Sequence, residues 1–268
     1  MDTASATASA RIELAGDGVL SVILSRPRHR NPLDESAFAT LRDAFGERAT
    51  RPEVRCVVLR GEGDDFCSGL DRTLLAGIAE SGGGSRERGE ELQLILLAVE
   101  SCPRPTIAVI QGACIGGGVE LMLACDFRVA SDDAWFSLLE MRYAFVPDLG
   151  GIHRLQREVG LSRAKEAVYF GDRVDAETFA RWGVLNEVVY RIDLDECAAR
   201  WTRRCVEAAP LAVTAAKRIM QQHPCGADAA RSLSEALDVN MTSLLRSADF
   251  REGLAAALER RPPHFRGE

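Results

Sequence analysis

Residues 106–125 read TIAVIQGACIGGGVELMLAC, and no other stretch constrains the fold as strongly. The β-branched apolar run Thr106–Ile110 predicts a buried strand, turned by Gln111-Gly112. Gly116-Gly117-Gly118 then leads into a helical pattern, VELMLACD. A strand, then glycines, then a helix leaves free backbone N–H groups where the helix dipole favours negative charge. Glycine also lets a ligand approach the backbone closely. The block therefore reads either as an oxyanion or anion site or as a tight strand-to-helix turn. It does not read as a dinucleotide site, because G-x-G-x-x-G is absent.

The flanking segments repeat this alternation. Residues 11–24, RIELAGDGVLSVIL, place two alternating runs around Gly16-Asp17-Gly18 and predict a hairpin that Arg26-Pro27 ends. Asp34 is the expected N-cap of a helix reaching about Ala49, with Phe38, Leu41 and Phe45 on one face. Val54–Leu59 reads as a buried strand followed by the loop GEGDDFCSGLD, and Phe127–Ala130 reads as a third buried strand. Residues 77–89, GIAESGGGSRERG, read as a mobile surface loop before a helix over Glu90–Glu100. Gly183 and Val184–Val189 read as a helix stop and a last strand. Helical patterns cover 194–208, 211–221, 228–246 and 249–260. The expected fold class is α/β, divided into a core over 1–190 and a helical region over 191–268.

Composition narrows the function classes. A net charge of −7 argues against a general nucleic-acid binder. The N-terminus MDTASATASARIEL has no apolar signal region, and no stretch approaches the roughly 20 apolar residues of a membrane helix. Eight cysteines without C-x-x-C spacing, and only four histidines, predict buried free thiols rather than a metal site. The expectation is a cytoplasmic protein with no metal and no disulfide framework.

Several residues stand where chemistry could use them. Glu120 lies one helical turn beyond Gly117 and would project near the same pocket, unless it merely caps the helix. Glu140 follows the apolar run Trp135–Leu139, where partial desolvation would raise its pKa; otherwise it is a surface glutamate. Asp148, in Val146-Pro147-Asp148-Leu149-Gly150-Gly151, reads as a third acid, a turn residue, or the N-cap of IHRLQREV. The loop through Ser68-Gly69-Leu70-Asp71 could supply a second backbone N–H, while Asp71 could cap a helix starting at Arg72. Arg26, Arg28 and Arg30 form a basic cluster that suits either a phosphate-bearing ligand or a solvated loop.

Taken in order, the segments LSRPRHRNPLD, FCSGLD, IQGACIGGGVELMLACDFRVAS, FSLLEMRYAFVPDLGGIHRL and SADFREGLAAALERRPPHF cover nearly the whole chain. Together they resemble the crotonase, or enoyl-CoA hydratase/isomerase, family. The resemblance implies a spiral of ββα units with a C-terminal helical trimerisation region, and trimers that pair into hexamers. It implies an acyl-CoA thioester substrate and no cofactor, CoA being part of that substrate. It assigns the oxyanion hole to the N–H groups of Leu70 and Gly117, and the two catalytic glutamates to Glu120 and Glu140. CoA contacts fall to Arg28, Ser68, Gly69, Leu70, Gly117 and Arg260. Asp148 departs from the plain hydratases, many of which resemble one another in having Gly there. It resembles the dienoyl-CoA isomerases, whose Asp works with the second Glu, although those tend to have Asp at the Glu120 position. Three readings follow: a 2-enoyl-CoA hydratase of fatty-acid β-oxidation, a 3-enoyl- or 3,5-dienoyl-CoA isomerase using Glu140 and Asp148, or a non-catalytic acyl-CoA-binding member.

Overall fold

The computed structural model describes residues 8–80, 85–221 and 246–268. The hairpin forms as predicted: β1 (Ala10–Leu14) pairs antiparallel with β2 (Val19–Leu24). Every further strand of this sheet is parallel to its neighbour: β3 (Cys56–Gly61), β4 (Thr106–Ile110), β6 (Phe127–Ser131) and β9 (Glu187–Val189). The order is β1-β2-β3-β4-β6-β9. A smaller sheet joins β5 (Ala113–Ile115), β7 (Trp135–Ser137) and β8 (Val174–Asp175), with β5 and β7 parallel.

The central turns of the chain lay a strand in the first sheet, a short strand in the second, and then a helix. Thus β4 and β5 lead to α4 (Gly117–Leu123), and β6 and β7 lead through a 3-10 turn (Glu140–Tyr143) to α5 (Gly151–Phe170), which is broken into two helical segments at Gly160 (φ +76°). After β3 the second-sheet position is held by one residue, Cys67, bridged in parallel to Cys114, before α2 (Arg72–Glu80) and α3 (Ser85–Glu100). This is the ββα spiral that the resemblance implies.

Alternate residues of the parallel strands serve two cores, as expected for a sheet covered on both faces. Val57 and Leu59 join Phe38, Leu41 and Phe45 of α1 (Glu35–Gly46) in the larger cluster. Cys56 and Val58 face Leu194, Cys197 and Cys205 of α7 (Leu194–Glu207) in the smaller one. Between β8 and β9 runs the short α6 (Ala176–Arg181). Beyond α7 lie α8 (Pro210–Gln221) and α9 (Ala248–Glu259). The helix expected over 228–246 falls almost wholly outside the described residues. Seven cysteines are free and buried; Cys225 lies outside the described residues. No helix among the described residues is long and apolar enough to cross a membrane.

The expectation for 77–89 needs correction at both ends, while residues 81–84 lie outside the described residues. Residues 77–80 close α2, and 85–89 open α3. The charged run is helical because its charges pair along the helix: Arg86 Nε meets Glu90 Oε1 at 2.8 Å, and Arg88 pairs with Glu91 and with Glu35 of α1. The apolar residues that follow, Leu92, Ile95, Leu96 and Val99, are buried. The last strand is also shorter than expected, because Val184 and Leu185 are buried before pairing with β6 begins at Glu187.

Candidate active site

The smaller sheet builds the site. Cys67, β5 and β7 run side by side in parallel, with Ile115 opposite Ser137. The segments leaving them, Ser68–Leu70, Gly116–Gly117 and Leu139–Glu140, therefore emerge together at one end. They line a cavity of 560 Å³ that Glu120 and Asp148 also line.

Close backbone approach sets the geometry on one side. Gly69 has φ +85°, and a Cβ there would lie 2.7 Å from the Ile115 carbonyl oxygen and 3.1 Å from the Gly117 nitrogen. A Cβ on Gly117 would lie 2.6 Å from Leu70 Cδ1 and 3.5 Å from the Leu70 nitrogen. Only glycine fits at 69, where φ is positive and the clash is with backbone, whereas a side chain at 117 would have to displace the end of Leu70. Among the described residues the Leu70 and Gly117 amides donate no hydrogen bond. Two free donors side by side on a cavity wall are what an oxyanion requires.

Three acids line the same cavity. Glu120 is 1% exposed on α4, every residue of which is buried. It caps nothing in its own helix; its Oε1 accepts from the Leu149 and Gly151 N–H groups, both at 2.9 Å. Burial pushes its carboxyl up to about 8; the charges of Glu140 and Asp148 add to the rise and the two N–H donors oppose it. Glu140 is 5% exposed, with its Oε2 buried and unpartnered. Burial, with a smaller contribution from Asp148, pushes it up to about 7. Asp148 is the exposed member of the three, and partial burial of its carboxyl raises its pKa too. It does not cap α5, whose N-cap is Gly150. Asp71 does cap, accepting from Thr73 N–H at 2.8 Å.

The arginine cluster is divided. Arg26 lines the cavity but pairs with Asp34 at 2.8 Å and Asp71 at 3.5 Å. Arg30 also lines it and pairs with Asp65 at 3.4 Å. Arg28 is exposed, has no ion pair among the described residues, and does not line the cavity. Arg260, just past α9, is exposed and likewise lies off the cavity wall. So the site brings together Glu120, Glu140, Asp148, Ser68, Gly69, Leu70 and Gly117, but neither Arg28 nor Arg260. Sequence reasoning missed Arg72 and Tyr143 on the wall, and the Leu149 and Gly151 N–H groups on Glu120. The Gly150-Gly151 pair was the available signal for the latter: a Cβ on Gly151 would fall 2.4 Å from Glu120 Cγ.

Comparison with known proteins agrees with this architecture. The enoyl-CoA hydratase/isomerase family model matches residues 15–268. A probable enoyl-CoA hydratase of Rhodobacter capsulatus is 35% identical over 252 residues, covering 94% of this chain and 95% of its own. The peroxisomal Delta(3,5)-Delta(2,4)-dienoyl-CoA isomerase of Arabidopsis thaliana is 32% identical over 261 residues, 92% of each chain. The crystal structure of an enoyl-CoA hydratase from Bacillus anthracis superposes with a TM-score of 0.89 at 32% identity, covering 97% of this chain and 100% of that one. With its spiral fold and with matches of this extent, the chain belongs to the enoyl-CoA hydratase/isomerase family.

Proposed function

We propose that this protein is an enoyl-CoA hydratase that adds water across the double bond of a 2-enoyl-CoA thioester. The observation that carries the reading is the pair Glu120 and Glu140, both buried and raised toward neutrality in one cavity with the free Leu70 and Gly117 amides. Two such carboxyls hold one proton between them near neutral pH, so one acts as base and the other as acid. The base removes a proton from water as its oxygen bonds to C3. The C2–C3 electron pair moves toward the thioester, whose oxygen gains charge facing the two amides. The acid then protonates C2. Each oxyanion donor contributes about 3 kcal/mol, and general acid–base catalysis contributes about a hundredfold to ten-thousandfold.

Arg28, Ser68, Gly69, Leu70, Gly117 and Arg260 are the proposed contacts for the CoA moiety, which belongs to the substrate and leaves no cofactor to supply. The helical region from 191 onward is proposed as the trimerisation element, in trimers or paired trimers. A cytoplasmic setting and a place in fatty-acid β-oxidation complete the proposal. A second reading is double-bond isomerisation of a 3-enoyl- or 3,5-dienoyl-CoA, favoured by Asp148 on the cavity wall beside Glu140. A chain-length panel of 2-enoyl-, 3-enoyl- and 3,5-dienoyl-CoAs with product identification tests both. The expected result is hydration, lost by at least about a hundredfold in Glu120→Gln and in Glu140→Gln but retained in Asp148→Asn. Isomerisation that Asp148→Asn abolishes would establish the second reading instead. Absence of any turnover, with CoA esters still bound, would leave only a non-catalytic acyl-CoA-binding protein.

A further inference from the structure

The turn that holds Glu120 is itself held from behind. Three successive peptide units lie between Asp148 and Gly151. In a trans peptide the C=O and N–H point in opposite directions, so anchoring one aims the other. The Asp148 carbonyl accepts from Gln93 Nε2 of α3 at 2.7 Å, and the N–H of that peptide, from Leu149, donates to Glu120. The Gly150 carbonyl accepts the Arg154 backbone N–H at 3.2 Å, and its peptide partner, the Gly151 N–H, also donates to Glu120. The peptide between them is fixed by Arg154 Nη1, 2.7 Å from the Leu149 carbonyl oxygen.

Arg154 is built for this position. It is 6% exposed, and its Nε and Nη2 both meet Glu100 Oε2, at 2.9 and 2.8 Å. Arg157 holds the other Glu100 oxygen at 2.7 Å. The guanidinium lies so close to the turn that a Cβ on Gly150 would fall 2.7 Å from Nη1. A buried arginine without a carboxylate is costly, and Glu100 removes that cost. A buried guanidinium spent on one backbone carbonyl fits a structure whose orientation matters.

We propose that Gln93 and Arg154, the latter steadied by Glu100, are positioning residues that fix the peptide planes of 148–151 and so aim the Leu149 and Gly151 N–H groups at Glu120. This rests on Glu120 being a proton-transfer residue, as above. The ionisable groups around Glu120 are Glu140 and Asp148. Arg154, Glu100 and Arg157 lie across the turn, His153 faces the neighbouring groove, and Cys67 lies beneath α4 against Gly118. Loosening the clamp therefore removes donors that favour the carboxylate and leaves the repulsive acids in place.

The test uses Gln93→Ala, an exposed position, and Arg154→Met. With 2-enoyl-CoA, the alkaline limb of the kcat profile, set by the higher-titrating Glu120, should move up by about half a pH unit or more. The acid limb should stay, and KM should change less than about twofold. An independent arm is thermal unfolding against pH. In the variants the fall of Tm with rising pH should extend to higher pH, because the folded Glu120 keeps its proton longer. An alkaline limb unmoved in both variants overturns the proposal, as does an unchanged pH dependence of Tm. Absence of turnover by the wild type would instead strike at the hydratase reading, and the Tm arm would still decide the clamp. If Arg154→Met does not fold, Gln93→Ala carries both measurements.

Discussion

Glu120 shows how burying one carboxyl costs stability. Its folded carboxyl titrates at about 8 against an ordinary 4.5. Between those values the native state holds a proton that the unfolded state has released, so stability falls as pH rises through that window. Glu120→Gln removes the titration, and its amide oxygen can still accept both N–H bonds. The variant should therefore unfold at a higher temperature than the wild type, with the gap widening from about pH 5 to about pH 8 by up to about 1.4 kcal/mol per unit. Calorimetry across that range reads it, and a gap independent of pH would contradict it. In activity, the coupled pair predicts a bell-shaped kcat profile with limbs near 7 and 8. A rate flat from about pH 6 to about pH 9 would refute a shared proton. Glu120, Glu140 and Asp148 were legible in the sequence because they are side chains in recognisable blocks. The groups that tune Glu120 were not, because a backbone N–H has no letter of its own and any residue at 149 would supply one.

At the scale of elements, the sequence was readable where an element was long enough to show a period. The hairpin, β4 and α1 appear where the alternating or helical pattern places them. The second sheet was invisible: β5 and β7 have three residues each and β8 has two, less than one full cycle of alternation plus its check. Yet that sheet aligns Leu70, Gly117 and Glu140. Its dependence on a single backbone conformation makes it testable at Gly69. Gly69→Ala must accept a left-handed φ and a Cβ 2.7 Å from the Ile115 oxygen, so the loop must move away from β5 and carry the Leu70 amide with it. Losing one oxyanion donor predicts a fall in kcat of about a hundredfold or more, with destabilisation of about 1–3 kcal/mol. Steady-state kinetics and denaturant unfolding together check this. An active, merely destabilised variant would show that the Leu70 amide is not used.

The whole molecule leaves large apolar side chains in water: Tyr169 at 57% exposed, Phe170 at 62%, Leu161 at 55% and Leu94 at 64%. Single exposed apolar residues are ordinary, but Leu161, Tyr169 and Phe170 share the segment of α5 beyond its break at Gly160. A partner covering that second segment would take these side chains out of water. Association would then stabilise the fold. Sedimentation should give three or six times the 29.2 kDa protomer mass, and the unfolding temperature should rise with protein concentration, because mass action favours the assembled native state. A protomer-mass species at every concentration, with full activity and a concentration-independent Tm, would show that one copy of this spiral is sufficient.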